Sequence, residues 1–235
     1  MGGLPMGGNS NRIRLAEGGG GEATANLIKQ VFWSRFQYPE LLKGNDAAVL
    51  QNPGGNLVVT TDSFVVTPWR FPGGDIGKLA VCGTINDLTM MGAKPLGLVL
   101  GFIIEEGFDI DSLEQIAESI AATAGEAGVP VVAGDTKVVN QGAADGIFIT
   151  SGGVGTADPK TRLGGELARE GDQVITTGTI GDHGATILLA RGEMGLTSDL
   201  RSDVAPLNGL LLPLVQQYGE LIRVMRDPTR GGLGT

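Results

Sequence analysis

Four aspartates stand where apolar runs end or glycine begins: Asp46 in GNDAAVL, Asp62 in TTDSF, Asp135 in AGDTKV and Asp227 in MRDPTRGG. A fifth, Asp87, follows Asn86 in the middle of the apolar stretch GTINDLTMMGAKP. One such aspartate by itself is most often a turn former or a helix cap. Five of them offer short-chain oxygen ligands, the set that suits magnesium, which keeps waters and takes a few carboxylates together with substrate phosphates. The loop EGGGGEA, with Gly18, Gly19, Gly20 and Gly21 before a helical pattern, supplies the complementary feature. Glycine lets backbone amides approach an anion, and a helix start adds positive potential. The loop matches neither the dinucleotide fingerprint nor the P-loop, so it reads either as a flexible joint or as a phosphate cradle. Lys137, two residues after Asp135, is a phosphate partner or an ordinary surface lysine. His183, the chain's one histidine, opens a glycine-flanked helix in GDHGATI as a packing residue or a catalytic one. Cys82 in LAVCGTI reads as a small buried apolar residue.

These groups need elements to hold them. A helical pattern beginning at Asp75 places Ile76, Leu79, Ala80, Gly83, Leu88 and Met91 on a buried face, with Pro95 stopping the run. Before it, a helix carries Leu27, Ile28, Val31, Phe32 and Phe36 inward, and DAAVLQ and NLVVTTDSFVV read as strands around the turn signal NPGGN. After it come the strand LGLVLGFIIEE, an amphipathic helix capped by Asp109 or Asp111, and the strands VPVVAGD and DGIFITSGGVG. The alternation predicts one sheet with helices on one face. Beyond TADPKTRLGGELAREGD a second unit begins, read as strand QVITTG, two helices and strand LIRVMRD, and it is expected to be cut off at DPTRGGLGT.

The chain has 235 residues, 41% of them hydrophobic, enough for a substantial core. A formal charge of -9 argues against a nucleic-acid surface. No apolar run is long enough to span a membrane, and the single cysteine excludes an internal disulfide and suits a reducing, cytoplasmic setting.

The blocks GNDAAVL, TTDSFVVTPWRFPGGDIGKLAVCGTINDLTMMGAKP, LGFIIEEGF, VVAGDTKVV, GDHGATIL and RDPTRGG together resemble the HypE family of hydrogenase maturation factors. That family belongs to the superfamily of aminoimidazole ribonucleotide synthetase, selenophosphate synthetase and thiamine-monophosphate kinase. The likeness runs from about Arg12 to the last residue. It implies an α/β (α+β sandwich) fold. The expected divisions are a loose tail over residues 1–11 and the glycine loop with its helix over 12–45. They would be followed by a PurM-like, ATP-binding, dimer-forming N-terminal domain with a mixed sheet over 46–158 and a PurM-like C-terminal domain, expected to be truncated, over 159–235.

The resemblance further implies ATP and Mg2+ as cofactors, with Asp46, Asp62, Asp87 and Asp227 as metal ligands. Gly18, Gly19, Gly20, Gly21, Asn86 and Thr136 would bind nucleotide, and Lys137, Asp135 and His183 would serve catalysis. The family's reaction is the ATP-dependent dehydration of a cysteine-bound carbamoyl group to thiocyanate, the cyanide source for nickel-iron hydrogenase. Its partners are a second copy, the carbamoyltransferase HypF and the HypC-HypD complex. Where the family often shows HGSGG, this chain has Glu17 and Gly19, which sets a negative charge beside the phosphate loop. The terminal cysteine that carries the substrate is also expected to be missing. The alternatives are a small-molecule kinase of the thiamine-monophosphate type and a non-catalytic docking or dimerisation module.

Overall fold

The computed structural model describes residues 11–19, 21–42, 50, 54–192 and 195–229. The expected strand at DAAVLQ therefore falls almost wholly outside the described residues, as do Gly20 and Asp46.

In chain order the elements are α1 (Glu22–Leu27), continued by a π-turn over Ile28–Trp33, then α2 (Pro39–Leu42), β1 (Asn56–Phe64), β2 (Arg70–Phe71) and β3 (Gly74–Asp75). They continue as α3 (Ile76–Met90), β4 (Lys94–Glu105), α4 (Ile110–Ala127), β5 (Val131–Val139), β6 (Ile147–Ala157), α5 (Asp182–Ala190) and α6 (Asn208–Tyr218). The main sheet has the order β1-β6-β4-β5. Its first two contacts are antiparallel, and β4 and β5 are parallel, joined by the crossover helix α4. A mixed sheet with helices packed on one face is the expected architecture.

Strand alternation decides which residues face those helices. Leu98, Leu100, Phe102 and Ile104 of β4 are buried, whereas Val99 and Ile103 are 42% and 40% exposed. Against the buried face lie α3 and α4. Leu113, Ile116, Ala117, Ile120 and Ala124 form the buried stripe of α4, as its amphipathic pattern requires. Burying each large aliphatic chain here contributes about 1.5–3 kcal/mol. Asp109 is the cap, its Oδ2 accepting from Ser112 N at 2.9 Å.

Helix α3 is buried on nearly every side, with Ile76, Ala80, Val81, Ile85 and Leu88 at 0% exposure. Gly77 permits its close contact with α4, since a Cβ there would lie 2.7 Å from the Ile116 carbonyl oxygen. The helix starts where expected, Asp75 Oδ1 accepting from Lys78 N at 2.9 Å. It ends earlier than expected. Gly92, at φ 66, closes it with the bonds Gly92 N to Thr89 O (2.8 Å) and Ala93 N to Leu88 O (3.0 Å), which satisfy the terminal carbonyls. Pro95 lies within β4, and Met91, past the last turn, is 45% exposed.

Two expected strands are absent. QVITTG and LIRVMRD form no strand and have no ladder partners among the described residues, and Val174 and Ile175 are 82% and 86% exposed. A strand takes its stability from paired neighbours and one packed face, and local propensity supplies neither.

Candidate functional site

Three of the predicted carboxylates come together on the helix-facing side of the sheet's β1 edge. Even-numbered residues of β1 point toward α3, so Thr60 and Asp62 share that face. Thr60 Oγ1 donates to Asp87 Oδ2 at 2.8 Å. Asp62 Oδ1 accepts from Ser63 N at 2.8 Å. Gly83 allows α3 to sit this close to β1, because a Cβ there would meet the Phe64 ring at 2.9 Å and Asp62 Oδ2 at 3.7 Å.

The third carboxylate, Asp227, arrives from the second unit with Arg226. Burial pushes the Asp227 carboxyl above its ordinary range, and the charges of Asp87 and Asp62 push the same way against Arg226. Burial likewise raises Asp87, and Asp62 adds to it while the Thr60 bond and Arg226 oppose. Carboxyls raised by burial and by neighbouring negative charge, as Asp87 and Asp227 are, are relieved by a cation, so these two groups with Asp62 beside them fit the hard, oxygen-seeking Mg2+. Among the described residues no three such side chains are gathered tightly enough to hold a metal by themselves. Magnesium usually needs only one or two protein carboxylates beside phosphates and waters.

Asp135 and Lys137 lie elsewhere. The register runs Asp62 to Ser151, Ser151 to Leu100 and Leu100 to Gly134, so Asp135 is one residue past the far end of that row. Three strand spacings separate the two edges by roughly 14 Å. Asp135 and Lys137 also project from the opposite, open face, with side chains 70% and 66% exposed. Their ion pair spans 3.0 Å, and the Lys137 hydrogen bond holds the Asp135 carboxyl below its usual range. Thr136, between them, faces inward at 8% exposure.

The glycine loop lies against the same strand. Residues Leu15–Gly18 form a 3-10 turn, and Gly18 approaches β5 so closely that a Cβ would sit 2.8 Å from Val138 Cβ. Gly19 N bonds Ala16 O at 3.2 Å, and Gly21 caps α1 without a side chain. The negative charge expected beside this loop is folded away. Glu17 Oε1 pairs with the Arg14 guanidinium at 2.6 Å, and its Oε2 accepts from Arg14 N at 2.8 Å. Burial raises the Glu17 carboxyl, but the bonds from Arg14 outweigh it and leave the group below its ordinary range.

Asn86 points away from Asp87 toward the second unit, its amide nitrogen donating to Ala205 O (3.0 Å) and its oxygen accepting from Leu207 N (2.8 Å). His183 has Nδ1 3.0 Å from Ser202 Oγ and its ring edge-on to Phe71, and burial lowers its pKa against the opposing charge of Asp203. Neither residue meets Lys137. Thr60 and Arg226 were missed in the sequence, although each has a signal: Thr60 is two residues before Asp62 on a strand, and Arg226 precedes Asp227. A cavity of about 1450 Å³ lined by Lys94, Lys160, Arg162 and Arg169 contains none of the predicted site residues.

Burial pushes the Cys82 thiol up to about 12. At pH 8 its thiolate fraction is about a thousandfold below that of a free cysteine. Ellman's reagent is expected to find no reactive thiol in the folded chain and one per chain in guanidinium. Rapid labelling of the native protein would contradict this burial.

Residues 44–157 match the family described as AIR synthase related protein, N-terminal domain, and residues 169–235 match the corresponding C-terminal domain. The chain is 50% identical to carbamoyl dehydratase HypE of Rhizobium leguminosarum bv. viciae over 95% of its length and 64% of the relative. It is 43% identical to the Escherichia coli K12 protein of that name over 95% of this chain and 67% of the relative. A crystal structure of hydrogenase maturation protein HypE in complex with ATP superposes with TM-score 0.89 at 48% identity, covering 94% of this chain and 65% of that one. A HypE-HypF complex gives 0.73 at 51%, covering 88% and 67%. The thiamine-monophosphate kinase of Stenotrophomonas maltophilia K279a gives only 0.57 at 26%, covering 80% and 59%, which does not favour the kinase alternative. The chain thus spans about 65% of the length of the curated relatives it matches. It belongs to the HypE family of AIR-synthase-related proteins.

Proposed function

We propose that this chain is the nucleotide-binding portion of an ATP-dependent carbamoyl dehydratase, which converts a cysteine-bound carbamoyl group to thiocyanate for hydrogenase maturation. The observation that carries the reading is the convergence of Asp62, Asp87 and Asp227 beside Thr60 and Arg226, in a chain half identical to proteins named for that activity. A HypE structure solved with ATP supports the nucleotide, and one solved with HypF supports that partner. The HypC-HypD complex as acceptor rests on the family resemblance, as do the domain limits 46–158 and 159–235.

In this reading the γ-phosphoryl group passes from ATP to the carbamoyl oxygen with release of ADP, and that oxygen then leaves as phosphate while the nitrogen gives up its protons to form the C≡N bond. A bound Mg2+ would supply charge neutralisation at the phosphates. Asp62, Asp87 and Asp227, with Asp46, would hold that cation, and the loop of glycines 18–21 would border the phosphates, the Gly19 N–H being already bonded to Ala16 O. Lys137 is the cation available to charge developing on a transferred phosphoryl group, and Asp135 holds its ammonium in place. Because this pair stands on the open sheet face, the reading includes a homodimer built through that face. Leu57, Val59, Val99 and Ile103 expose apolar surface there, and covering it with a second copy sets Lys137 in the seam. Thr136 and His183 contribute through packing.

Light scattering at micromolar concentration and calorimetric titration with MgATP test the reading. A mass near twice 24.2 kDa and saturable heat are expected. A monomeric mass removes the dimer, and no saturable heat removes the nucleotide assignment.

A further inference from the structure

We infer that Asn86 is a positioning residue: its carboxamide clasps the backbone at Ala205 and Leu207, and so holds the second unit, with Arg226 and Asp227, against Asp87. The inference rests on the reading of Asp87 as a phosphate-site carboxylate.

Leu207 is the residue that starts α6, and its side chain cannot cap a helix. In a capping box, a glutamate from the helix's own first turn reaches back to accept the starting residue's N–H. Here that acceptor comes from a different helix, Asn86 Oδ1 receiving Leu207 N–H at 2.8 Å. The other half of the amide donates to Ala205 O at 3.0 Å. A carbonyl can only accept and an N–H can only donate, so the partners dictate which way the amide faces. Two bonds to backbone groups two residues apart define both the position and the orientation of that turn.

Consecutive residues on a helix point about 100° apart, a consequence of its 3.6-residue turn. Asp87 therefore faces Thr60 of β1 while Asn86 faces the second unit, and α3 is the wall shared by both. Among the described residues, one other polar tie between the units lies at the same turn, one residue past Leu207, and two lie earlier in the second unit. Asn208 Nδ2 bonds Ala127 O (2.8 Å), Ser202 N bonds Pro72 O (2.9 Å) and Arg191 Nε bonds Thr67 O (3.0 Å). Asn86 is the tie one residue from a carboxylate of the cluster, so its loss is felt there while the others keep the units joined.

The test compares Asn86→Ala, Asn86→Asp and Asn86→Gln with the parent 235-residue chain, reading amide exchange at Leu207 and calorimetric affinity for MgATP. Asn86→Ala should speed exchange at Leu207 about tenfold and weaken MgATP about tenfold without lowering the protection of α4. Asn86→Asp keeps the acceptor for Leu207 but sets an oxygen against Ala205 O, and should also weaken MgATP. Asn86→Gln, with the same amide, should recover part of both losses. Unchanged exchange in Asn86→Ala overturns the clasp. Faster exchange with unchanged MgATP affinity, in a background where Asp87→Asn does weaken MgATP, overturns the positioning role alone. If Asp87→Asn leaves affinity intact, the phosphate-site reading itself has failed and the positioning role falls with it.

Discussion

Asp87→Asn is expected to weaken MgATP binding by about 10–100-fold or more, since altering even residues that only support a metal's ligands costs that much in affinity. The substitution keeps the side chain's shape and leaves an amide oxygen to accept from Thr60, so the local packing survives. It also removes one of the charges that raise Asp227. The free protein should therefore change in the opposite direction from the complex. Asp87 and Asp227 have raised carboxyl pKa values in the fold, so the native state binds protons more readily than the unfolded chain. Their contribution to stability is present below the ordinary carboxylate range and is lost as pH rises through the raised values. At pH 7 the ligand-free variant should unfold at a higher temperature than the parent, with a shallower decline in stability above pH 4. Calorimetry with MgATP and thermal unfolding across pH 4–8 check the two halves. A variant that binds MgATP as tightly as the parent would remove Asp87 from the site.

Gly77→Ala should be among the most damaging single-methyl additions to the first unit. The new Cβ would lie 2.7 Å from the Ile116 carbonyl oxygen and 2.9 Å from Ile120 Cγ1. The carbonyl belongs to the α4 backbone and cannot rotate aside, so the two helices must separate or slide. Overpacking of this kind costs about 1–3 kcal/mol, and alanine's better helix propensity returns only about 1 kcal/mol. An encounter with backbone belongs at the upper end, so a net loss of about 2 kcal/mol is expected. For a chain of this size that lowers the unfolding midpoint by roughly 4–8 °C. Gly125→Ala in α4, where a Cβ meets nothing within 4 Å, is the control and should be neutral or stabilising. Equal midpoints for Gly77→Ala and the parent would mean that the helices are not in contact at this glycine.

Both effects follow from α3. It packs on the sheet and on α4, presents Asp87 to β1, and turns Asn86 to the second unit. Its burial on nearly every side explains why an amide and a carboxylate are tolerated in an apolar helix: each is placed at an edge of the packed surface where a specific partner waits.

Local patterns could be read from the chain alone. The α4 stripe, its Asp109 cap, the Asp75 start of α3 and the alternation in β4 depend on residues within a few positions of one another, so periodicity and capping chemistry suffice. The aspartates could be named as ligand candidates for the same reason, and the motif blocks carried the family. Which aspartates meet was a matter of sheet order. Placing β6 between β1 and β4 sets Asp62 and Asp135 at opposite edges, and the parity of two strands puts them on opposite faces. No spacing in the sequence encodes either fact. The loss of the strands QVITTG and LIRVMRD has the same origin, because a ladder needs a neighbour that propensity cannot supply. The turn of Asn86 toward Ala205 and Leu207, more than a hundred positions away, is likewise tertiary. A helix wheel gives the direction of a side chain, but only the packed fold decides what stands there to receive it.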